Sequence, residues 1–545
     1  MKRIINTVVL ALLAISSVVA QNKEIKNVIL LIPDGTSLSA VSAARWYQRY
    51  NNPEKTRLNI DPYLCGTILT YSSNAPIGDS APTTSCYMTG YPSRAASISM
   101  YPPADPHNDI IPMDPARAYQ PMMTVLEAAR ITQNKATGLV FTCEFPHATP
   151  ADCSAHTYNR NQYKWIAPQM VHNKLDVVIG GGVSLLSAND RKFLQDEGYG
   201  VFLDDINGFR NYKSDRMWAL FGETAMEYDI DRDAEKEPSL AEMTKIAIEK
   251  LSANENGFFL MVEGSQVDWA AHSNDAVAII TEMLAFDKAC GVALDFAKTN
   301  GETVVVIVPD HGNSGFSIGS NKCSNYSTLT KDQLFGAISK FKASNNKLIT
   351  ELRETKPADL QNMFERLTGI VLTESDYTRI LQCVDYKLST LPDGERNKDF
   401  FLAKVAAGIV DKNTCFGFTT TGHTGEEVFL AIYDPTQNRL TGHNSNVELN
   451  HYLRKSLGLQ QSLESLTNDY FAKHTEVFEN YSYTITNKDE TPVLEVKNKK
   501  KILEIQPNTN IVKLNGKEIK LNSVVIYVDK NDTFYLPKSL RELIN

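Results

Sequence analysis

Several carboxylates and imidazoles in this 545-residue sequence stand at spacings that suit a metal ion. Asp268 and His272 lie four positions apart. On a helix they would share one face about one turn apart, so they could bind the same ion. Asp310 and His311 are adjacent, and His423 lies in a glycine-flanked loop. Each of these residues alone is more often structural, but their combination in one chain predicts a metal site.

Ser80 is a candidate nucleophile within residues 78–90, which read Gly-Asp-Ser-Ala-Pro-Thr-Thr-Ser-Cys-Tyr-Met-Thr-Gly. The segment predicts a helix that begins near Ser80 and ends at Gly90. Free backbone N–H groups and the positive end of the helix dipole favour an anion beside a serine in the first turn. That position suits attack on a phosphate. A helix N-cap is the alternative role, because Asp and Ser are common there.

Short apolar runs predict the strands that position these side chains. Each run leads to a potential ligand: 27–32 to Asp34, 137–141 to His147, 258–262 to Glu263, and 304–308 to Asp310. Further strands are predicted over 176–179 and 428–433, and helices over 38–50, 239–253 and 276–297. The pattern is typical of an α/β fold with a mostly parallel central sheet flanked by helices. Such sheets bind ligands outside the carboxyl ends of their strands, so we expect the polar residues to converge there.

The net charge limits the classes of binding partner, and the N-terminal sequence indicates the compartment. The net charge of −9 does not favour binding to nucleic acid. Residues 1–20 have two early positive charges, an apolar run and small residues before Gln21, which predicts a secretory signal peptide. A retained anchor is the alternative, although the run is too short to span a bilayer and no later run predicts a transmembrane segment. We therefore expect an exported protein of the periplasm or the extracellular space.

None of the eight cysteines forms a CxxC pair, which argues against a cysteine-rich zinc site. An even number in an exported protein permits disulfides without requiring them. Cys143 with Cys153 is one candidate pair.

After the leader is removed, the chain is predicted to have a catalytic domain with an insertion and a separate C-terminal module. Residues 21–480 form the candidate catalytic domain, and the long interval 312–422 within it predicts an insertion near the site, with helices over 330–342 and 357–367. Residues 484–545 show alternating apolar residues and an Asn515-Gly516 turn, which predict a small β-rich accessory module. Its expected role is scaffolding or contact with the cell envelope.

The sequence resembles the alkaline phosphatase family over roughly residues 25–475. The resemblance is carried by six motifs in the family's order: Pro33-Asp34-Gly35, Asp79-Ser80-Ala81, His147-Ala148-Thr149-Pro150-Ala151 with Asn159-Arg160, Glu263 with Asp268 and His272, Asp310-His311, and Gly422-His423. It implies a metal-dependent hydrolase of small-molecule phosphate monoesters that releases inorganic phosphate. It also implies a homodimer, although the insertion and the extra module leave a monomer open.

The resemblance implies two Zn²⁺ and one Mg²⁺ per chain. The first zinc would be bound by Asp268, His272 and His423, the second by Asp34, Asp310 and His311, and the magnesium by Asp34, Thr149 and Glu263. His147 and Trp269 occupy variable positions near the magnesium ligands, and neither offers a carboxylate to a hard cation. The affinity for magnesium and the occupation of that site by another metal therefore stay open.

The resemblance also assigns Ser80 as the nucleophile that forms a phosphoserine intermediate, and Arg160 as the residue that binds two phosphate oxygens. The planar fork of arginine suits two oxygens at once. A nearby zinc ion can hold the serine as an alkoxide. His156, in the same stretch as Arg160, is either a support for the site or a core residue.

A phosphodiesterase or sulfatase of the same superfamily is the nearest alternative function. A sulfatase needs a C/S-x-P-x-R motif, but Thr84 stands where its arginine would be. Related phosphodiesterases lack the third-site glutamate, so Glu263 with Thr149 favours a monoesterase. A non-catalytic phosphate- or metal-binding protein is a second alternative, against which the presence of Ser80 and Arg160 argues.

Overall fold

The computed structural model describes residues 24–320, 323, 326–384, 398–488 and 491–545. Its centre is a ten-stranded sheet. The strands are β1 Asn27–Pro33, β2 Leu64–Leu69, β3 Ala136–Glu144, β4 Val177–Gly181, β5 Gly200–Leu203, β6 Met217–Phe221, β7 Phe258–Gly264, β8 Thr303–Ile307, β9 Val428–Tyr433 and β10 Gly442–Ser445. Their spatial order is β10-β2-β9-β8-β1-β7-β3-β4-β6-β5. Only β9 within this sheet runs antiparallel to its neighbours, which confirms the predicted mostly parallel sheet.

Both faces of the sheet are buried. Strand β1 shows this, because its successive side chains belong to two different hydrophobic clusters. Val28, Leu30 and Ile32 belong to one hydrophobic cluster, whereas Ile29 and Leu31 belong to another. Continuous apolar strands of this kind are typical of parallel sheets covered on both sides. The helices of this body are α1 Leu38–Asn51, α2 Ser80–Thr89, α3 Val125–Gln133, α4 Ala148–Ala151, α5 Tyr163–His172, α6 Ala188–Asp196, α7 Ile206–Asn211, α8 Leu240–Leu251, α9 Gln266–His272 and α10 Ala276–Asn300.

The insertion packs around a hydrophobic cluster that it shares with residues of α1, α9 and α10. Its helices are α11 Lys331–Phe335, α12 Asn345–Glu354, α13 Leu360–Thr368, α14 Glu374–Val384 and α15 Lys398–Lys412. The helix predicted over 330–342 is wrong beyond Phe335. Gly336 follows α11 directly, where its missing side chain weakens a helix, and the chain continues as a separate 3₁₀ turn, Ile338–Lys340. The segment predicted over 357–367 begins as a 3₁₀ turn, Pro357–Asp359, before α13.

The two ends of the insertion are joined in three ways. A two-residue strand, Gly312–Asn313, pairs antiparallel with His423–Thr424, and Ser317–Ile318 pairs in the same sense with Phe416–Gly417. A disulfide then joins Cys323 to Cys415. We refer to these paired segments and the disulfide as the stem.

The candidate disulfide between Cys143 and Cys153 is wrong. Both thiols are free and buried, and each has a different neighbour. Cys143 Sγ lies 3.5 Å from Glu263 Oε2, whereas Cys153 Sγ lies 3.7 Å from the carbonyl oxygen of Thr149. The bridge that does form spans 92 positions, a separation that the local spacing of cysteines could not indicate.

The C-terminal region forms a five-stranded antiparallel sheet in chain order. Its strands are β11 Ser482–Lys488, β12 Thr491–Asn498, β13 Lys501–Ile505, β14 Ile511–Leu514 and β15 Lys517–Lys520. The predicted turn joins β14 to β15, and both of its residues have positive φ, 48° at Asn515 and 81° at Gly516, as a tight hairpin requires. A second hairpin, β16 Ile526–Val528 with β17 Thr533–Leu536, also pairs with Ala472–Lys473.

Four more helices complete the described chain: α16 Asn446–Ser456, α17 Leu463–Tyr470, α18 His474–Val477 and α19 Leu540–Ile544. The C-terminal region contacts the catalytic body through polar groups, among them Arg130 Nη2, which donates to the carbonyl of Asn522. No helix among the described residues has the length and apolarity that crossing a membrane requires. The predicted signal peptide, residues 1–20, lies outside the described residues.

Candidate active site

The predicted ligands that follow the strands lie together at the carboxyl edge of the central sheet. Asp34 directly follows β1, and Asp310 lies just beyond β8. Glu263 still belongs to β7, where it is the register partner of Ile32 in β1. His147 follows β3, the other neighbour of β7. Since β8, β1, β7 and β3 are adjacent, their carboxyl ends bring these four side chains to one place.

The first cluster contains Asp268, His272 and His423. Asp268 and His272 lie on the same helix, α9, and His272 Nε2 is 3.3 Å from Asp268 Oδ2. The His423 Nε2 atom is 3.2 Å from His272 Nε2 and 3.8 Å from Asp268 Oδ1. Nδ1 of His272 lies 2.6 Å from the carbonyl oxygen of Thr421, and Nδ1 of His423 lies 3.0 Å from that of Gly78.

These carbonyl contacts fix the tautomers, because a carbonyl oxygen can only accept a hydrogen bond. Both Nδ1 atoms therefore carry hydrogen, and both Nε2 lone pairs face each other and a carboxylate. Two lone pairs and a carboxylate repel one another, so a proton or a metal cation between the two Nε2 atoms is needed to stabilise this arrangement. In agreement, the hydrogen bond with Asp268 raises the pKa of His272 to about 9. Burial opposes ionisation of Asp268, but the hydrogen bond from His272 and the charges of the surrounding imidazoles lower its pKa.

The second cluster contains Asp34, Asp310 and His311, which are all fully buried. His311 Nε2 is 3.4 Å from Asp34 Oδ1 and 3.6 Å from Asp310 Oδ2. Asp310 Oδ1 accepts from the backbone N–H groups of Gly35 and His311, each at 3.0 Å. Burial, together with the negative charges of Asp310, Asp268 and Glu263, raises the pKa of Asp34 well above its usual range. Such a group of buried acids needs cations or protons to compensate it.

The third cluster contains Thr149 and Glu263, with His147 and Trp269 beside them. Thr149 lies in α4 and Glu263 in β7, and both are fully buried. Burial first, and the charge of Asp310 second, raise the pKa of Glu263 to about 8. The ring of Trp269 meets that of His147 edge to face, with centroids 5.8 Å apart. Burial and the charge of Arg160 lower the pKa of His147 to about 4, so this imidazole is neutral at neutral pH.

Ser80 is the first residue of α2, which ends at Gly90 in a left-handed conformation with φ 82°. Its N-cap is Asp79, whose Oδ1 accepts from Ser80 N at 3.0 Å, so the alternative role of Ser80 as the N-cap is wrong. Ser80 Oγ lies 3.5 Å from both carboxylate oxygens of Asp34 and 3.3 Å from His311 Nε2. The hydroxyl thus faces the second cluster, beside the backbone N–H of Ala81 at the helix N-terminus; Pro82 has no N–H, and the N–H groups of Ser80 and Thr83 donate to Asp79.

Arg160 is oriented by two partners beside Ser80. Its Nη1 donates to Asp79 Oδ1 at 2.8 Å, and its Nη2 donates to His147 Nε2 at 3.0 Å. Burial favours the neutral form of Asp79, but the guanidinium of Arg160 outweighs it and lowers the pKa of that carboxyl. A single Asp79 oxygen therefore joins the start of α2 to Arg160.

Sequence reasoning gave no role within the site to three residues that contact its side chains, and it assigned one of them, Cys143, to a disulfide instead. Asp79 directly precedes Ser80, so its capping role could have been recognised from the sequence. Asn313 donates from Nδ2 to Asp268 Oδ1 at 2.6 Å, and Cys143 lies beside Glu263; neither position carried a local signal. His156 is part of the core, where its Nε2 is 3.2 Å from Glu127 Oε1.

Several buried polar atoms of the site have no hydrogen-bond partner within the described chain: Asp310 Oδ2, Glu263 Oε1, Thr149 Oγ1 and His147 Nδ1. Buried polar atoms are otherwise almost always satisfied. Carboxylate, hydroxyl and imidazole are the donors that divalent cations use in proteins. The residues of the site therefore fit bound metal ions.

A parallel α/β sheet with acids, imidazoles and a helix-borne serine at its carboxyl edge is the arrangement of a metal-dependent hydrolase. The sequence profile of the family described as Alkaline phosphatase matches residues 25–459. This chain belongs to the alkaline phosphatase family, whose members hydrolyse phosphate monoesters. The predicted resemblance is thereby confirmed, and nothing in the comparisons favours a diesterase, a sulfatase or a binding protein.

Three relatives illustrate the similarity. Alkaline phosphatase 3 of Bacillus subtilis strain 168 is 33% identical over 450 residues, which cover 80% of this chain and 89% of the relative. The crystal structure of a cold-active alkaline phosphatase from a psychrophilic Shewanella species is 25% identical, with a TM-score of 0.68 over 79% of this chain and 99% of that one. A TAB5 alkaline phosphatase variant solved with Mg bound in its M3 site is 25% identical, with a TM-score of 0.54 over 81% of this chain and 100% of that one.

Proposed function

We propose that this enzyme hydrolyses phosphate monoesters through a phosphoserine formed on Ser80, with Arg160 binding the phosphate. One observation carries the proposal: the Ser80 hydroxyl, at the N-terminus of α2, lies 3.3 Å from His311 Nε2, while Asp79 links the same helix end to Arg160. The helix terminus favours a bound anion. The guanidinium can contact two phosphate oxygens in its plane.

The reaction would proceed in two displacements at phosphorus. Ser80 Oγ forms a bond to phosphorus as the ester bond breaks, and the serine proton passes through water to the leaving oxygen, which departs as the alcohol. Water then attacks the phosphoserine, which restores the Ser80 hydroxyl and releases inorganic phosphate. Throughout, Arg160 and the backbone N–H of Ala81 at the start of α2 would hold the phosphate oxygens in position for in-line attack.

The donor set supports two zinc ions and a third cation. The first zinc would be bound by Asp268, His272 and His423, and the second by Asp34, Asp310 and His311. Asp34, Thr149 and Glu263 would bind the third cation, which the resemblance predicts to be magnesium. When bound, these ions supply positive charge that favours the serine alkoxide and stabilises the attacking and leaving oxygens.

The proposal extends to the compartment and the organisation of the chain. The signal peptide pattern supports export, and the disulfide between Cys323 and Cys415 suits an oxidising compartment. Residues 312–422 would border the substrate entrance, and residues 484–545 would serve as an accessory module. The N-terminal sequence of the secreted protein, and its mass by sedimentation, would test export and the proposed homodimer.

Steady-state kinetics with three chromogenic esters test the proposed reaction. The mature protein should hydrolyse a phosphate monoester faster than a phosphodiester or a sulfate ester, and Ser80→Ala should abolish turnover. Ser252→Ala, on the exposed end of α8, is the matched control. Acid quenching with a labelled monoester should trap phosphate on Ser80. A diester or sulfate preferred tenfold, which is about 1.4 kcal/mol in the barrier, would overturn the monoesterase assignment.

A further inference from the structure

The third cluster contains a thiol that the predicted magnesium site does not use. Cys143 lies in β3, is fully buried and is not part of a disulfide. Its Sγ is 3.5 Å from Glu263 Oε2. Cys143, His147 and Glu263 each offer one metal-binding atom, and these atoms lie within 4.8 Å of one another. Among the described residues, no other cysteine belongs to such a group.

Independent observations show that this place is built to bind a ligand. Glu263 Oε1 and Thr149 Oγ1 have no hydrogen-bond partner within the described chain, and both residues are fully buried. Leaving such atoms unpaired in the interior is unfavourable. A bound cation would satisfy both oxygens and the adjacent sulfur together.

His147 is less suited to bind the ion than Cys143. Arg160 Nη2 donates to His147 Nε2, and a guanidinium cannot accept a hydrogen bond. Nε2 is therefore the acceptor, and hydrogen occupies Nδ1 in the neutral ring. The Cys143 sulfur contacts the Glu263 carboxylate and the Ser265 hydroxyl, and neither of these neighbours is a cation that would compete with a metal ion.

The chemistry of these donors decides which cation fits. Magnesium requires six oxygen ligands in nearly ideal octahedral geometry, and it binds sulfur poorly. Zinc and cobalt bind thiolate and carboxylate ligands readily.

We propose that the third site of this chain binds a zinc-type cation, with the Cys143 thiolate as a ligand beside Glu263 and Thr149. The thiol gives up its proton to water as the ion binds, so binding releases one proton. The inference rests on the proposed function only in taking the third cluster as a cation site, and it does not require turnover.

Cobalt is the probe for the test, because a thiolate bound to Co²⁺ gives an intense near-ultraviolet charge-transfer band that oxygen and nitrogen ligands do not give. Full-length protein would be stripped with a chelator and titrated with Co²⁺. The wild type should develop the band, and Cys143→Ala should lose it. Cys153→Ala is the matched control, because its sulfur is equally buried but contacts only the Thr149 carbonyl in this region; that variant should keep the band.

X-ray absorption of the zinc-loaded wild type provides a second measurement that needs no variant. It should show a sulfur scatterer at about 2.3 Å. This result would stand even if Cys143→Ala failed to fold. A wild-type spectrum without the cobalt band, with only oxygen and nitrogen around zinc, would overturn the proposal.

Monoester hydrolysis measured on the same preparations separates this inference from the proposed function. An active enzyme without a thiolate band would refute the cysteine ligand alone. An inactive protein that shows the band would refute the phosphoserine mechanism alone.

Discussion

Asn313 Nδ2 donates to Asp268 Oδ1 at 2.6 Å across 45 positions of sequence. The bond fixes one carboxylate oxygen and leaves Oδ2 facing His272. Residues that orient metal ligands in this way typically alter metal affinity by about 10–100-fold when they are removed.

Asn313→Ala should therefore weaken zinc binding at the proposed first site by about tenfold or more. Competition of the purified variant with a chromogenic chelator would measure the affinity. Asn51→Ala, on the exposed end of α1, should leave the affinity unchanged. Equal zinc affinity in wild type and Asn313→Ala would mean that this hydrogen bond does not orient the ligand.

Asp79→Ala should weaken product inhibition. Asp79 holds Arg160 through Nη1 at 2.8 Å, so its loss frees the guanidinium to adopt other rotamers. We expect inorganic phosphate to inhibit about tenfold less, a loss of about 1.4 kcal/mol in binding. Inhibition constants would be compared with those of Asp105→Ala, which breaks a similar pair with Arg94 that is not part of the site. Unchanged inhibition would contradict a positioning role for Asp79.

Removal of the metals should destabilise the protein more strongly at high pH. The sign follows from Asp34 and Glu263, whose pKa values are raised by burial, that of Glu263 to about 8. Without metals the folded state must hold protons that the unfolded state releases, so its stability falls as the pH rises from about 4.5 to about 8. Calorimetry with and without a chelator should show a difference in Tm that grows across this range. A difference independent of pH would exclude this linkage.

Glu282 should limit stability at alkaline pH independently of the metals. It is buried in α10, accepts a hydrogen bond from the backbone N–H of Asp229, and has a pKa raised to about 8 by burial and by the charges of Asp229 and Asp231. The protein thus loses stability between about pH 4.5 and about 8, because only the unfolded chain releases this proton freely.

Glu282→Gln keeps the hydrogen-bond acceptor and removes the titration. We expect it to raise the free energy of unfolding at pH 8 by a few kcal/mol, on the order of 1.4 kcal/mol for each pH unit gained, and to change little at pH 4.5. Denaturant titrations at both pH values would measure this. Glu249→Gln, on the exposed side of α8, should show no such pH dependence; if the two variants behaved alike, the shift at Glu282 would be refuted.

Opening the disulfide between Cys323 and Cys415 should destabilise the insertion. The bond closes a loop of 92 positions, for which chain entropy alone predicts a loss of about 4.6 kcal/mol on reduction. The double variant Cys323→Ala, Cys415→Ala should lower Tm, and a reductant should have no further effect on it. A reductant that lowered the Tm of wild type and variant equally would assign the effect to another cause.

The strands that carry ligands could be predicted because their sequences are continuously apolar. β1, β7 and β8 are fully buried from end to end, so periodicity located them to within a residue or two. Strand β10, by contrast, reads Gly-His-Asn-Ser and gave no signal. It forms because β2 offers a parallel partner, and Gly66 lets the backbone of Gly442 approach closely.

Contacts made by distant segments could not be predicted. The bond from Asn313 to Asp268 exists because Gly312–Asn313 pairs with His423–Thr424, and no local pattern indicates that pairing. The thiol of Cys143 is similar, because its strand was predicted but its neighbour Glu263 belongs to β7. Residue types and motifs indicated the chemistry of the site, whereas its supporting contacts depend on tertiary packing.

The stem has a consequence for how such enzymes diversify. It pairs Asn313 directly with His423, and Asn313 also bonds to Asp268. These contacts are therefore complete before the chain enters the helical part of the insertion. Everything beyond the stem can change in length and sequence while the distance between its two ends stays constant. The insertion is therefore a segment that evolution, or a designer, can exchange without rebuilding the contacts between Asn313, Asp268 and His423.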